Sequence, residues 1–333
     1  MQGIATRLIT LVVVVCLAVS AASAETWVLE GNADLKAVSA DANEQYRLNM
    51  AEAKRLINAG QADAAKKAFG QLKKNFPKAF GQDFDLFVKA ELLYCQDYFS
   101  KAILTYEKLL NKYPQSKFYE PALDREFTIA GAFLAGRKKT ILGIFKISGY
   151  AEGVKIMERI SDRTGLDDPN GLGLKAALAV AEHYEKKQKF SEAYLKWSEI
   201  ASYWETGEIG KRALLKMAQN KLAAYNANSV KRRPHYDASR LVAAKTYYEK
   251  FTLLYPEDAK KLGIPATIKG VDEQLAYKEY ITGKFYRRTG ENQAANLYFD
   301  MVIQNWPDST AAQMAKSDTT SAGPQTNPNG KGK

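Results

Sequence analysis

The segment AILTYEKLLNKYP, residues 102–114, decides the fold. Ala102, Tyr106, Leu109 and Tyr113 stand at offsets of zero, four, seven and eleven, which puts them on one stripe of an α-helix. Pro114 ends that helix, because proline has no amide hydrogen to continue the ladder. The phrase returns as Ala65, Phe69, Leu72, Phe76, Pro77; as Ala193, Trp197, Ile200, Trp204, without the proline; as Ala244, Tyr248, Phe251, Tyr255, Pro256; and as Ala295, Phe299, Val302, Trp306, Pro307. A chain that repeats one amphipathic helix is expected to stack its helices, each burying its stripe on a neighbour.

Twelve residues before four of these alanines stand Ala53, Ala90, Ala181 and Gly283. A small residue facing a small residue lets two helix backbones approach, and the aromatics fill the space beside them. In this the chain resembles the tetratricopeptide repeat, a helical pair of about 34 residues. The copy at Ala244 has Arg232 in that place, so its first helix is expected earlier, over 210–225, with Ala218 as the small residue and 226–239 looping out. A degenerate pair is expected at 119–135 and 150–162, with Ile156 and Ile160 on the buried stripe. The predicted fold is all-α, a right-handed tetratricopeptide-repeat-like solenoid of about six helical pairs over residues 43–314. An irregular helical bundle is the alternative.

The ends read differently. Arg7, an uncharged run over 8–20 and Ala22-Ser23-Ala24 form the pattern of a signal peptide over 1–24, so export is expected. Lipid anchoring through Cys16 fits less well, since Val15 stands where a small residue belongs. Residues 25–42 hold two short apolar runs around Gly31-Asn32-Ala33-Asp34, a possible hairpin. The tail, 315–333, has no large apolar side chain and is expected to be disordered.

The chain carries 48 Lys and Arg against 37 Asp and Glu, a net charge of +11. That excess suits anionic partners, among them an anionic lipid surface. Nucleic acid is not expected, for want of a recognised binding motif in an exported chain. Cys95 alone would remain after signal cleavage, so no intrachain disulfide can form, and a lone thiol beside Leu92 and Leu93 reads as a small core side chain. The two histidines, His183 and His235, lie far apart and make no paired-histidine metal site. Gly171-Leu172-Gly173 reads as a helix-opening turn. No catalytic residue, metal or cofactor is expected.

From Pro234 to Ala312 the likeness narrows. Pro234-His235-Tyr236-Asp237, Leu253-Leu254-Tyr255-Pro256, the helix from Leu275 through Arg288, and Trp306-Pro307-Asp308-Ser309 resemble the C-terminal repeats of BamD-type outer-membrane assembly factors. The resemblance implies a non-catalytic periplasmic scaffold that docks on a barrel-assembly insertase through its C-terminal repeats and receives unfolded outer-membrane proteins at its N-terminal ones. The chain departs from that family in lacking a good lipidation site and in having an extra helical pair. A scaffold coordinating cell-wall synthesis or envelope constriction would suit the same repeats, and an enzyme is the distant alternative.

Three surfaces are candidates for function. Tyr277, Tyr280, Lys284, Arg287 and Arg288 are expected on one face of a long terminal helix, either as a partner contact or as a packed aromatic and arginine face. The insertion at 137–149 places Ile141, Leu142, Ile144 and Phe145 beside Lys138 and Lys139; it is read either as a loop dipping into a membrane interface or as an extra core element. Lys231, Arg232, Arg233 and Arg240 crowd one loop, as an anion site or as solvated charges.

Overall fold

The computed structural model describes residues 26–30, 34–38, 40–141 and 145–321. They form two compact units that divide after Tyr113, where the sequence suggests one uninterrupted helical array. The first unit opens with strands β1 (Thr26–Glu30) and β2 (Asp34–Val38), paired antiparallel with Thr26 opposite Val38. Helices α1 (Ala40–Asn58), α2 (Ala62–Asn75), α3 (Gln82–Cys95) and α4 (Phe99–Lys112) follow. The second unit contains α5 (Tyr119–Leu134), strands β3 (Lys138–Ile141) and β4 (Phe145–Ser148), then α6 (Tyr150–Thr164), α7 (Leu172–Lys186), α8 (Phe190–Tyr203) and α9 (Gly207–Asn226). It closes with α10 (Ser239–Leu254), α11 (Pro256–Lys261), α12 (Ile264–Arg288), α13 (Asn292–Asn305) and α14 (Thr310–Ser321). Within each unit every helix packs on the next, the all-α, tetratricopeptide-like stacking that the repeated phrase predicts.

The stripe is the core. Ala65, Ala102, Ala193, Ala244 and Ala295 are all buried, together with the aromatic four residues on and the apolar residue seven on. Ala53, Ala90 and Ala181 face them from the preceding helix, also fully covered. At Gly283 a Cβ would lie 2.7 Å from the Phe299 ring, so only hydrogen fits. Ala218 takes the place vacated by Arg232 and shares a cluster with Ala244 and Tyr248. Ile156 and Ile160 of α6 are buried as expected.

The aromatics eleven residues on do a different job from the one the stripe suggests. Phe76, Tyr113, Trp204, Tyr255 and Trp306 are C-cap residues that have left the helical region. Four precede a proline, whose ring disfavours the α conformation of the residue before it; Trp204 leaves the helix without one. Freed from the helix, their polar atoms reach sideways. Trp204 Nε1 donates to the Leu166 carbonyl at 2.6 Å, Trp306 Nε1 to Asp272 at 3.1 Å, and the Tyr113 hydroxyl to Gln82 at 2.8 Å.

A further regularity lies five residues before four of the phrase alanines. Gly60, Asp97, Gln188 and Gly290 turn the chain there with φ of 73°, 64°, 57° and 86°. Asp97 and Gln188 hold this left-handed conformation without being glycine, at about 1–2 kcal/mol each.

The C-terminal tail begins later than its composition suggests. Helix α14 continues to Ser321, with Ala311, Ala312 and Ala315 buried against Ala295, Phe299 and Tyr280. Small side chains let this helix lie close, so it needs no large apolar residue of its own. Residues 322–333 lie outside the described residues, as does the signal segment 1–24.

Burial also fixes a pH dependence. Tyr248 is pushed up to about 12 by burial; Tyr247 reaches about 12 through burial and its hydrogen bond with Tyr194; Tyr280 reaches about 12 through burial and its bond to Asp318. An unfolded tyrosine releases its proton near pH 10. Between about pH 10 and 12 the folded chain therefore holds protons that the unfolded chain has lost, and stability falls as pH rises. Denaturant unfolding across this range should show the decline, and absorbance titration should show a late-ionising class of tyrosines. A flat stability from pH 10 to 12 would refute the assignment.

Candidate partner-binding surfaces

Helix α12 separates the terminal-repeat residues by depth. Tyr280 is buried; its hydroxyl donates to Asp318 of α14 at 2.9 Å, and its ring lies 5.7 Å from that of Phe299. Lys284 meets the same carboxylate at 3.2 Å. Arg287 stacks 5.2 Å above the Phe299 ring and donates to Asn296 at 2.8 Å and to the Asp318 carbonyl at 3.4 Å. Burial works against the Asp318 charge, but the Tyr280 and Lys284 hydrogen bonds, with the charges of Lys284 and Arg287, outweigh it and hold the carboxyl below its ordinary value. Three of the five residues thus join α12 to α14. Arg287 is part of this packing and does not stand clear of it as its place off the alanine stripe suggests. Tyr277, 42% exposed, and Arg288, exposed, remain open on the same helix.

The basic loop is partly consumed as well. Arg233 donates from Nε to the Asn228 carbonyl at 2.9 Å and from Nη2 to the Asn226 carbonyl at 2.6 Å, and Arg240 donates to the Ala224 carbonyl at 3.4 Å. All three carbonyls lie at the C-terminal end of α9, the negative pole of its dipole, where a cation is stabilising. The Tyr225 hydroxyl returns a bond to the Arg233 carbonyl at 2.7 Å. Lys231 and Arg232 face solvent, and no such carbonyl bond is seen for them among the described residues.

The 137–149 insertion is a β-hairpin, with Lys138 opposite Ser148, Lys139 opposite Ile147, and Ile141 opposite Phe145. Lys139 pairs with Glu152 of α6 at 2.6 Å. Ile147 is 47% exposed. Leu142 and Ile144 fall outside the described residues, and the side chains of Ile141 and Phe145 do too. Period-two alternation across Phe145, Lys146, Ile147 and Ser148 is the signal from which sequence reading could have found the strands.

His183 is buried on α7, its ring 5.3 Å from that of Tyr150. Burial first, then the charges of Lys187, Lys189 and Lys186, push its pKa down, so it packs as a neutral ring. His235 is exposed, and Cys95 is half-buried. Gly171 caps α7 and Gly173 packs under the Gly165 carbonyl, the helix-opening turn expected of them. Among the described residues no three His, Cys, Asp or Glu side chains group as metal ligands. The second unit also has an open cavity of about 510 Å³ that the periodicity did not reveal, lined by Leu178, Ile209, Leu215, Phe251 and Leu262 together with the charged Glu208, Lys211, Arg212, Asp258 and Lys261.

Residues 45–79 and 279–309 match the family model of the tetratricopeptide repeat. Those two segments carry tetratricopeptide repeats. The second match begins inside α12 and covers Tyr280, Lys284, Arg287 and Arg288, while Tyr277 lies just before it. Such repeats bind other proteins, which makes protein partners the general expectation. No curated protein matches the chain. Among solved structures it is similar to the C-terminal part of a tetratricopeptide-repeat-containing protein from Cytophaga hutchinsonii, at 15% identity over 83% of this chain and 93% of that one, with a TM-score of 0.37. It is also similar to PilW, a widely conserved type IV pilus biogenesis factor, at 17% identity over 82% of this chain and 99% of that one, with a TM-score of 0.28.

Proposed function

We propose that the chain is a non-catalytic, exported scaffold of the cell envelope that works in outer-membrane protein assembly. The observation that carries this reading is the terminal repeat. Tyr277 and Arg288 stand open on α12, beside a packed Tyr280, Lys284 and Arg287 that hold the helix rigid. Exposed tyrosine and arginine on a rigid support are the side chains that protein contacts favour. The resemblance of residues 234–312 to the C-terminal repeats of BamD-type factors supplies the partner: a barrel-assembly insertase, with unfolded outer-membrane proteins as clients. The pattern of residues 1–24 supplies the compartment, the periplasm beside the outer membrane.

Affinity capture of the tagged chain from detergent-solubilised envelopes tests this. Barrel-assembly components should co-purify and be identified by mass spectrometry. Recovery of cell-wall synthases in their place would move the scaffold to envelope constriction, and recovery of neither would overturn the reading.

A further inference from the structure

Two basic segments far apart in sequence meet at the foot of the β3–β4 hairpin. From 127 to 151 the chain has no Asp or Glu, while Arg137, Lys138, Lys139 and Lys146 lie within that stretch. At the other segment, the turn after α7, Lys186, Lys187 and Lys189 are all exposed, with Gln188 in the left-handed conformation between the last two. Lys187 joins them: its ammonium lies 3.6 Å from the centre of the Tyr150 ring, and Tyr150 follows β4 by two residues. The three lysines of the turn also all act on His183, which touches Tyr150.

Within the hairpin, side chains alternate between faces. Lys138 and its cross-strand partner Ser148 share a face with Lys146, and both lysines are exposed. The other face carries Lys139, which Glu152 neutralises, and the half-exposed Ile147. Nearby acids are largely engaged elsewhere: Glu182 pairs with Arg212, and Glu185 with Lys216. Glu192 on α8 and Glu182 are exposed acids of this neighbourhood. The result is a cationic surface drawn from two elements.

We propose that this surface, Lys138, Lys146, Lys186, Lys187 and Lys189, rests on a bilayer of anionic phospholipid. The cations are spread over two elements and solvated. A dispersed array reads a continuous sheet of negative headgroups, whereas an acidic protein is gripped through packed and desolvated contacts. No helix among the described residues is long and apolar enough to cross a membrane, so this contact is peripheral. It is independent of the terminal-repeat surface and of any insertase.

The test is co-flotation of the full chain with vesicles of phosphatidylcholine alone and of phosphatidylcholine mixed with phosphatidylglycerol. Residues 1–24 are the same in the parent and the variants, so any binding through them is common to both, and a change between parent and variant in the ratio of the two affinities reports the lysine surface. That ratio should favour the anionic vesicles and shrink as salt rises. Each basic group near an anionic surface contributes about a factor of five, so Lys138→Gln with Lys146→Gln should weaken anionic binding about 30-fold, and Lys186→Gln with Lys189→Gln about as much. All four side chains are exposed, and unchanged far-UV circular dichroism would confirm the fold. Equal affinity for both vesicle types, or unchanged binding by both double variants, would overturn the proposal. So would a soluble acidic protein from the envelope binding this lysine surface while anionic vesicles do not.

Discussion

Replacing Trp197 by alanine should lower the unfolding free energy of the second unit by about 3–5 kcal/mol. The indole is wholly buried in a cluster with Ala177, Ala181, Ala193, Ala213 and Met217, drawn from α7, α8 and α9, so its loss opens a cavity where three helices meet. It also has a polar duty. Trp197 Nε1 donates to Glu185 Oε1 at 3.0 Å; Asn220 donates to the same oxygen at 2.6 Å, and Lys216 bonds Oε2 at 2.8 Å. Alanine removes the volume and one of the three donors together. Phenylalanine restores most of the volume but leaves Glu185 a donor short, so Trp197→Phe should retain a deficit of about 1 kcal/mol. Urea unfolding followed by far-UV circular dichroism measures both. A loss below about 1 kcal/mol for the alanine variant would mean that the stack does not depend on this knob.

Trp197 was legible in the sequence because its offset from Ala193 repeats four times elsewhere, and repetition makes a buried stripe recognisable. The displaced helix with Ala218 was legible for the same reason. Other features depend on the third dimension. The terminal helix α14 is held by alanines and by Asp318 bonding Tyr280 and Lys284, contacts that exist only after α12 has folded. A string of small polar residues looks like a tail until its partner surface is known. Arg233 and Arg240 read as loop charges, yet they close the carbonyl end of α9, and nothing in a linear pattern says where a carbonyl end will be left open. The left-handed turns at Asp97 and Gln188 are hidden for a simpler reason: glycine marks that turn at Gly60 and Gly290, and here the side chain gives no such mark.

The same separation of packed from open residues sharpens the functional test. Tyr277, Lys284 and Arg288 follow one another at offsets of zero, seven and eleven along α12, the spacing of a single helical stripe. Lys284 is tied to Asp318, so Tyr277 and Arg288 are the members free to meet a partner. Tyr277→Ala with Arg288→Glu should cost about 2–5 kcal/mol of partner affinity, since it removes an aromatic anchor and reverses a charge at a contact that becomes desolvated on binding. The fold should be untouched. Arg287→Glu is the contrasting variant: it places a carboxylate over the Phe299 ring and beside Asp318, and should loosen α14, read as faster amide exchange over residues 310–321. A double variant that keeps its fold and loses the captured partner would locate the contact on the open stripe. If that variant still binds and Arg287→Glu does not, the partner reads a surface organised by α14. If neither change reduces capture, the terminal repeat is not the docking surface.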